Sequence, residues 1–185
     1  LPEIFVQITH EAKARLSADI CGIMLLEEDA LVMKRCTGNL AAETASLRMK
    51  AGQGVGGRVL QTRQPCTIED YVHSDIISRD FFSLAKAERV RSALAVPLIS
   101  QDAVIGVLEV WRRKPSTFTP QHTAELATLA NLASLAIENA ALFESRELAA
   151  QRLEDAHTQL QQRYDVIRNS ASLQESLIAT LLKGG

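Results

Sequence analysis

Hydrophobic and polar positions divide the first third of the chain into a helix and several strands. From Pro2 to Arg15 apolar residues recur every three or four positions, which predicts an amphipathic helix. The apolar run ADICGIMLLEED, a turn near Glu28, and the run ALVMKRCTG together predict a β-hairpin. A shorter and more polar run, SLRMK, predicts a third strand beside them.

The pattern in the remainder predicts a second hairpin followed by a long helix. VGGRVLQTR predicts a helix of about two turns that ends before Pro65, and PCTIED a short strand. Residues 71–78 read as a loop and RDFFSLAKAERV as a short helix, before a hairpin formed by RSALAVPLIS and AVIGVLEVWRR. Thr119 is the predicted N-cap of a helical pattern that starts at Pro120 and runs to Leu182. This order predicts an α+β fold with a central antiparallel sheet flanked by helices.

Composition narrows the classes of function. The 185 residues carry a formal net charge of −2, which argues against a general nucleic-acid surface, because phosphate binding needs clustered positive charge. The cysteines, Cys21, Cys36 and Cys66, are widely spaced and form no C-x-x-C motif. We expect buried thiols, which suit a reducing cytoplasm.

The sequence shows no signal peptide and no apolar run near the ~20 residues of a membrane helix. We therefore expect a cytoplasmic protein without a membrane partner. Because the chain starts at Leu1 without a methionine and stops at Gly184-Gly185, we expect it to be an excerpt of a longer protein.

The stretch AGQGVGGRV, residues 51–59, raises the question of nucleotide binding because its glycines satisfy G-x-G-x-x-G. A dinucleotide fingerprint needs a buried parallel strand before the glycines and a full helix after them. Here the preceding SLRMK is polar and the following helix is short, although Asp70 stands where an acid is expected. Kinase motifs such as H-R-D and D-F-G are absent from the sequence. These facts favour a conformational role, in which glycines allow positive φ and close approach of strand, turn and helix.

Three segments in this order and spacing resemble a GAF domain: AGQGVGGRVLQTRQPCTIED, RSALAVPLISQDAVIGVLEVWRR and FTPQHTAELATLANLASLAIENAALF. The resemblance covers residues 1 to about 145. It implies a small sensory module, in which a sheet carries helices on one side and a ligand cavity under loops on the other.

In GAF-like proteins the loop corresponding to DYVHSDIISRDFF covers the pocket. Phe81 and Phe82 would then supply an apolar wall, while Asp70, His73 and Arg91 would hold polar ends of a ligand. The alternative is that the two phenylalanines only anchor a short helix to the core. The candidate ligand-binding residues are Asp70, His73, Phe81, Phe82, Arg91 and Ala95.

The resemblance also allows specialised family members to be tested. Cys66 lacks the adjacent histidine of bilin-binding members, which argues against a covalent bilin. Lys114 and Phe118 match part of a cyclic-nucleotide pattern whose Asn and Asp-Glu pair are missing. Haem needs an axial ligand, and His73 alone is placed to supply one. The sequence therefore leaves the cofactor unknown. The four histidines show no metal-ligand spacing, no G-x-S-x-G motif occurs, and we expect no enzyme.

After the GAF-like region, residues 146–185 read as a coiled-coil linker to an output domain outside the chain. One a/d heptad register contains Leu153, Ala156, Leu160, Ile167, Leu177 and Leu181, with interruptions at Arg163, Ser170 and Gln174. This seam predicts a homodimer through the C-terminal helix. The alternative is a single amphipathic helix that folds back on its own domain.

The ending SLIATLLKGG resembles the entry to the regulatory region of PucR/CdaR-like bacterial transcription regulators, which carry a DNA-binding helix-turn-helix at their far C-terminus. The resemblance implies an input domain for a small-molecule ligand that regulates such an output, with DNA contacted only through it. Three alternatives remain. The first is the input domain of a signalling enzyme (a sensor kinase, cyclase or phosphodiesterase), and the second is a dimerisation scaffold that binds no ligand. The third is an enzyme in its own right, such as a cysteine-dependent reductase of the GAF type that uses Cys36 or Cys66, which the spacing of the cysteines supports little.

Overall fold

The computed structural model describes the backbone of residues 1–183 and the side chains of residues 1–164 and of Arg168. Its elements in chain order are α1 (Pro2–Arg15), β1 (Ile20–Glu27), β2 (Ala30–Thr37), a 3₁₀ helix (Ala42–Ser46), β3 (Arg48–Lys50), α2 (Gly54–Thr62), β4 (Cys66–Ile68), α3 (Phe82–Ala87), β5 (Ser92–Ser100), β6 (Ala103–Arg112) and α4 (Pro120–Lys183). The predicted α+β class with a central antiparallel sheet is confirmed.

The six strands form one antiparallel sheet in the order β3-β2-β1-β6-β5-β4. Its two long hairpins, β1–β2 and β5–β6, are the two that the sequence predicts. The second turns at Gln101 and Asp102, which both adopt positive φ, as expected for a two-residue hairpin loop. Pairing of β1 with β6, for example Cys21 with Val110, joins the hairpins at the centre of the sheet.

Alternation along β6 separates the two faces of the sheet. Leu108 and Val110 belong to a core that includes α1 and the start of α4. Val107 and Trp111 belong to a second core that includes α2, α3 and the loops around them. Because side chains alternate along a strand, the residue between these two, Glu109, lies on the same face as the loops. That is the face on which the GAF resemblance expects a ligand cavity.

The start of α4 contributes Leu126, Leu129, Ala130 and Ala133 to the first core. Thr119 caps this helix as predicted, because its Oγ1 accepts a hydrogen bond from the backbone N–H of His122 at 3.4 Å. Residues 120–164 are long and apolar enough, by length and composition, to cross a membrane, which corrects the expectation of no such stretch. Since the core helix of a globular domain passes the same criterion, this is weak evidence for a membrane span.

Residues Leu1–Asn139 form one compact unit, and residues 140–185 form a second. In the second unit the heptad positions Leu153 and Leu160 are exposed, as a partner-binding seam requires. Ala156 and the interrupting Arg163 are exposed as well, whereas the side chains of Ile167, Ser170, Gln174, Leu177 and Leu181 lie outside the described residues.

Candidate functional site

The glycine-rich stretch forms the tight entry to α2. An ideal Cβ at Gly57 would lie only 2.2 Å from the backbone oxygen of Lys50, so any larger residue would separate helix from strand. The backbone N–H of Gly54 donates to Ser78 Oγ at 2.9 Å, and that of Gly52 to the oxygen of Gly57 at 2.7 Å. These groups are already occupied within the protein, which agrees with the conformational role and argues against a phosphate cradle.

A small cavity lies between the loop-side face of the sheet and α3. We call it the inner cavity; it measures about 20 Å³ and has room for about one water-sized group. Its lining includes Tyr71, Phe81, Ala85, Val90, Glu109 and Trp111. The polar groups in this lining are the Glu109 carboxyl, the Trp111 indole N–H and the Tyr71 hydroxyl, and the other lining side chains are apolar.

Glu109 is the polar residue at the floor of the inner cavity. It is 1% exposed, and its neighbours across the sheet are two small residues, Gly22 on β1 and Ala95 on β5. A Cβ at Gly56 would lie 3.5 Å from Glu109 Oε2, so the carboxyl lies against the first turn of α2. Within the described part of the chain, neither carboxyl oxygen has a partner at hydrogen-bonding geometry.

Burial raises the pKa of Glu109 to about 7, and the nearby indole N–H of Trp111 offsets only part of that rise. Trp111 Nε1 is itself buried, and its N–H approaches the Glu109 carboxyl without reaching good hydrogen-bond geometry. Burial, with the charge of Glu109 as a smaller cause, also raises the pKa of the Tyr71 hydroxyl. The inner cavity therefore combines aromatic walls with a carboxyl group that is approached by one indole N–H and has no cationic partner among the described residues.

A larger, open cavity of about 420 Å³ adjoins the inner one and shares Tyr71, Ala85 and Val90 with it. This outer cavity has the size of a small-molecule pocket. Four basic residues, Lys86, Arg89, Arg91 and Arg113, contribute to its lining.

Arg113 is committed to the fold, because it donates to the oxygen of Gly38 at 2.8 Å and pairs with Glu88 at 3.3 Å. Glu88 also accepts hydrogen bonds from the backbone of Leu40 and Ala41 and from Thr44 Oγ1. Although burial by itself raises the pKa of Glu88, these bonds outweigh it and hold that pKa below its ordinary value. Glu88 thus fastens the C-terminal end of α3, the roof of both cavities, to residues 40–44.

A family model described as a GAF domain matches residues 1–138. The chain belongs to the GAF family. Such domains are sensory modules, and the curled six-stranded sheet with a cavity on its loop side is their fold.

Among curated proteins, the HTH-type transcriptional activator RamA of Corynebacterium glutamicum is 34% identical over 86 residues. That match covers 46% of this chain and 31% of RamA, so the chain spans about a third of that relative. The GAF domain/HD domain protein from Geobacter sulfurreducens has a similar fold, with a TM-score of 0.65, 20% identity, and coverage of 76% of this chain and 94% of that one. A domain of a two-component sensor histidine kinase from Sinorhizobium meliloti is similar too, with a TM-score of 0.65, 15% identity, and coverage of 78% and 95%.

In this GAF domain three of the predicted site residues lie together at the surface. His73 Nδ1 is 2.8 Å from Asp70 Oδ2, and Arg91 Nη2 is 3.8 Å from the same oxygen. The hydrogen bond with His73 is the main cause that lowers the pKa of Asp70, with Arg91 contributing. Asp70 and His73 line neither of the two cavities, whereas Arg91 lines the outer one.

The other three predicted residues lie closer to the cavities. Phe81 lines the inner cavity, Phe82 lines the outer one, and Ala95 is fully buried on β5 beside Glu109. Sequence reasoning missed Glu109 itself. The available signal was a lone acid inside the apolar run AVIGVLEVW, at an alternation position facing the loops.

The three thiols do not form a reactive centre. Cys21 faces the core on the α1 side, while Cys66 belongs to the loop-side core and Cys36 packs against it. Burial raises the pKa of all three thiols, that of Cys36 to about 12, so they are protonated at neutral pH. Among the described residues, no group of three metal-ligating side chains comes together.

Proposed function

We propose that this GAF domain is the ligand-sensing input of a cytoplasmic bacterial transcription regulator whose DNA-binding output lies outside the chain. The observation that carries the sensing role is the pair of adjoining cavities, since the inner one contains a buried carboxyl with no cation within ion-pair distance among the described residues. Most buried polar groups in proteins are paired, which makes a buried carboxyl without a counter-charge at a cavity a candidate ligand-binding group.

The regulator assignment draws support from the 34% identity to an HTH-type transcriptional activator. The C-terminal Leu-Leu-Lys-Gly-Gly, which resembles PucR/CdaR-like regulators, points the same way. A non-enzymatic role is favoured by the buried, protonated thiols, because a cysteine-dependent reductase needs an accessible thiolate.

The second candidate is the input domain of a signalling enzyme, which the fold similarity to a sensor histidine kinase domain favours. The coding sequence beyond Gly185 separates the two: a helix-turn-helix supports the regulator, and a catalytic domain overturns it.

Native mass spectrometry of the purified chain, together with a thermal-shift screen of metabolites, tests sensing itself. We expect a retained small-molecule mass or a compound that raises the melting temperature. A chain that binds nothing in either experiment would be a dimerisation scaffold, and the sensing proposal would be wrong.

We further propose that the helix from residue 146 onward mediates a parallel or antiparallel homodimer through its heptad seam. The exposed Leu142, Leu153 and Leu160 share one a/d register, which supports this. Size-exclusion chromatography with light scattering should give a dimer mass for the chain and a monomer mass for Leu153→Glu with Leu160→Glu. Gln151→Glu, at an outward heptad position, is the matched control and should remain dimeric. A strict monomer at high micromolar concentration contradicts the seam.

A further inference from the structure

The charges of the two cavities differ in sign. The inner cavity contains the carboxyl group of Glu109, for which no cation lies within ion-pair distance in the described part of the chain. The outer cavity has Lys86 and Arg89 at its rim, and neither forms an ion pair with any described residue. A ligand whose charges match both regions carries a positive donor group at one end and an acid group at the other.

The inner cavity restricts the identity of the positive group. Burying a carboxylate without a partner is costly, and a cation that donates hydrogen bonds removes most of that cost. Room for about one water-sized group excludes a guanidinium or a quaternary amine but admits a primary ammonium. Trp111, Tyr71 and Phe81 surround this space, and aromatic rings add to the attraction for a cation.

The rest of the ligand belongs in the outer cavity, whose volume of about 420 Å³ accommodates several further heavy atoms. Both cavities share Tyr71, Ala85 and Val90, so a ligand that reaches both passes through this common wall. Ala85 on α3 presents only a methyl group there.

We propose that the sensed ligand is an amino acid or a short amino carboxylate, whose protonated amine binds Glu109 and whose acid group lies at Lys86 and Arg89. The inference rests on the proposed sensing function and names the chemical class of its ligand. Glu109 is then the specificity-determining residue, because its charge rejects anions from the inner cavity.

The probes are the linear ω-amino carboxylates from glycine to 6-aminohexanoate, with alkylamines and alkyl carboxylates of the same chain lengths. Each is titrated into the 185-residue chain by calorimetry and tested by thermal shift at pH 8. We expect amino carboxylates of one favoured length to bind best, the matching alkylamine more weakly, and the matching carboxylate least. This length reports the separation of Glu109 from the basic rim.

Variants assign the two ends of the ligand. Glu109→Gln keeps the shape of the side chain and should weaken binding of the best probe at least about tenfold, because the ammonium loses its counter-ion. Lys86→Gln with Arg89→Gln should weaken the amino carboxylate but leave the alkylamine unchanged. Glu69→Gln removes an exposed acid that neither cavity includes and serves as the matched control.

The pH dependence gives a second readout that does not depend on a variant. Because protonation of Glu109 competes with the ammonium, affinity of the wild-type chain should fall about tenfold per unit as pH drops below about 7. Equal binding by wild type and Glu109→Gln overturns the proposal. Binding of only anionic or neutral compounds in the wider screen overturns the ligand class and leaves sensing intact, whereas failure of every compound removes sensing as well.

Discussion

The buried carboxyl of Glu109 makes a specific prediction about stability and pH. Burial raises its pKa from the ordinary 4.5 to about 7 in the folded chain. Between these values the folded state holds a proton that the unfolded state has released, so stability falls as pH rises from 4.5 to 7. The two pKa values differ by about 2.5, and each pKa unit corresponds to about 1.36 kcal/mol, so the free energy of unfolding falls by about 3 kcal/mol, a loss that is complete above pH 7.

Glu109→Gln is neutral at every pH and removes this loss. We expect the variant to match the wild type near pH 5 and to exceed it by about 3 kcal/mol at pH 8. Urea unfolding followed by circular dichroism at pH 5, 6, 7 and 8 measures both free energies. Subtracting the two curves cancels the four histidines, which both proteins share.

Among the described residues, no other group near the carboxyl adds a pH dependence to this difference in the free energy of unfolding. The described groups whose pKa responds to the charge of Glu109 are Cys21, Cys36 and Tyr71, and burial raises the pKa of each above the measured range. Glu144→Gln, an exposed acid, should leave the wild-type pH profile unchanged. A stability difference between Glu109→Gln and wild type that is constant from pH 5 to pH 8 would refute the reasoning, because it would mean that Glu109 titrates alike in both states.

Three further predictions concern the frame of the site. Gly57→Ala should lower the free energy of unfolding in urea by about 2 kcal/mol or more, because its Cβ would meet the Lys50 oxygen at 2.2 Å; an unchanged value would contradict that close approach. Glu88→Gln should lower the free energy of unfolding by about 1–3 kcal/mol at pH 7. Because the pKa of Glu88 is lowered in the folded chain, its stabilising charge is lost as pH falls below 4.5, and the difference between variant and wild type should shrink there; a constant difference down to pH 3 would contradict the stabilising role of that charge. The Cys66 thiol should react with iodoacetamide more slowly in the native chain than after unfolding in urea, as mass spectrometry can measure, and equal rates would restore it as a candidate nucleophile.

The sequence was most informative where one local pattern had one structural solution. The hairpins β1–β2 and β5–β6 followed from strand-length apolar runs separated by two polar residues. The boundary of α4 followed from Thr119 and Pro120, whose side chains specify a helix start without help from distant residues. The GAF family itself followed from the order and spacing of such local motifs.

The candidate site was harder, since it depends on which residues meet across elements. Asp70, His73 and Arg91 form a cluster at the surface. Asp70 and His73 are close in sequence, and Arg91 belongs to a neighbouring segment. Their sequence could not reveal that two of them lie outside both cavities. Phe81 and Phe82 are adjacent, yet one lines the inner and the other the outer cavity, a division made by the orientation of α3.

The local sequence thus determined the strands, the hairpins, the start of the long helix and the family to which the chain belongs. Only the tertiary structure decided that Glu109 is buried without a counter-charge among the described residues. Its environment is made by Gly22 on β1, Ala95 on β5 and Gly56 on α2, three small residues from distant parts of the chain. Burial and the absence of a counter-charge both depend on residues that are distant in sequence, so no local pattern along the chain specifies them.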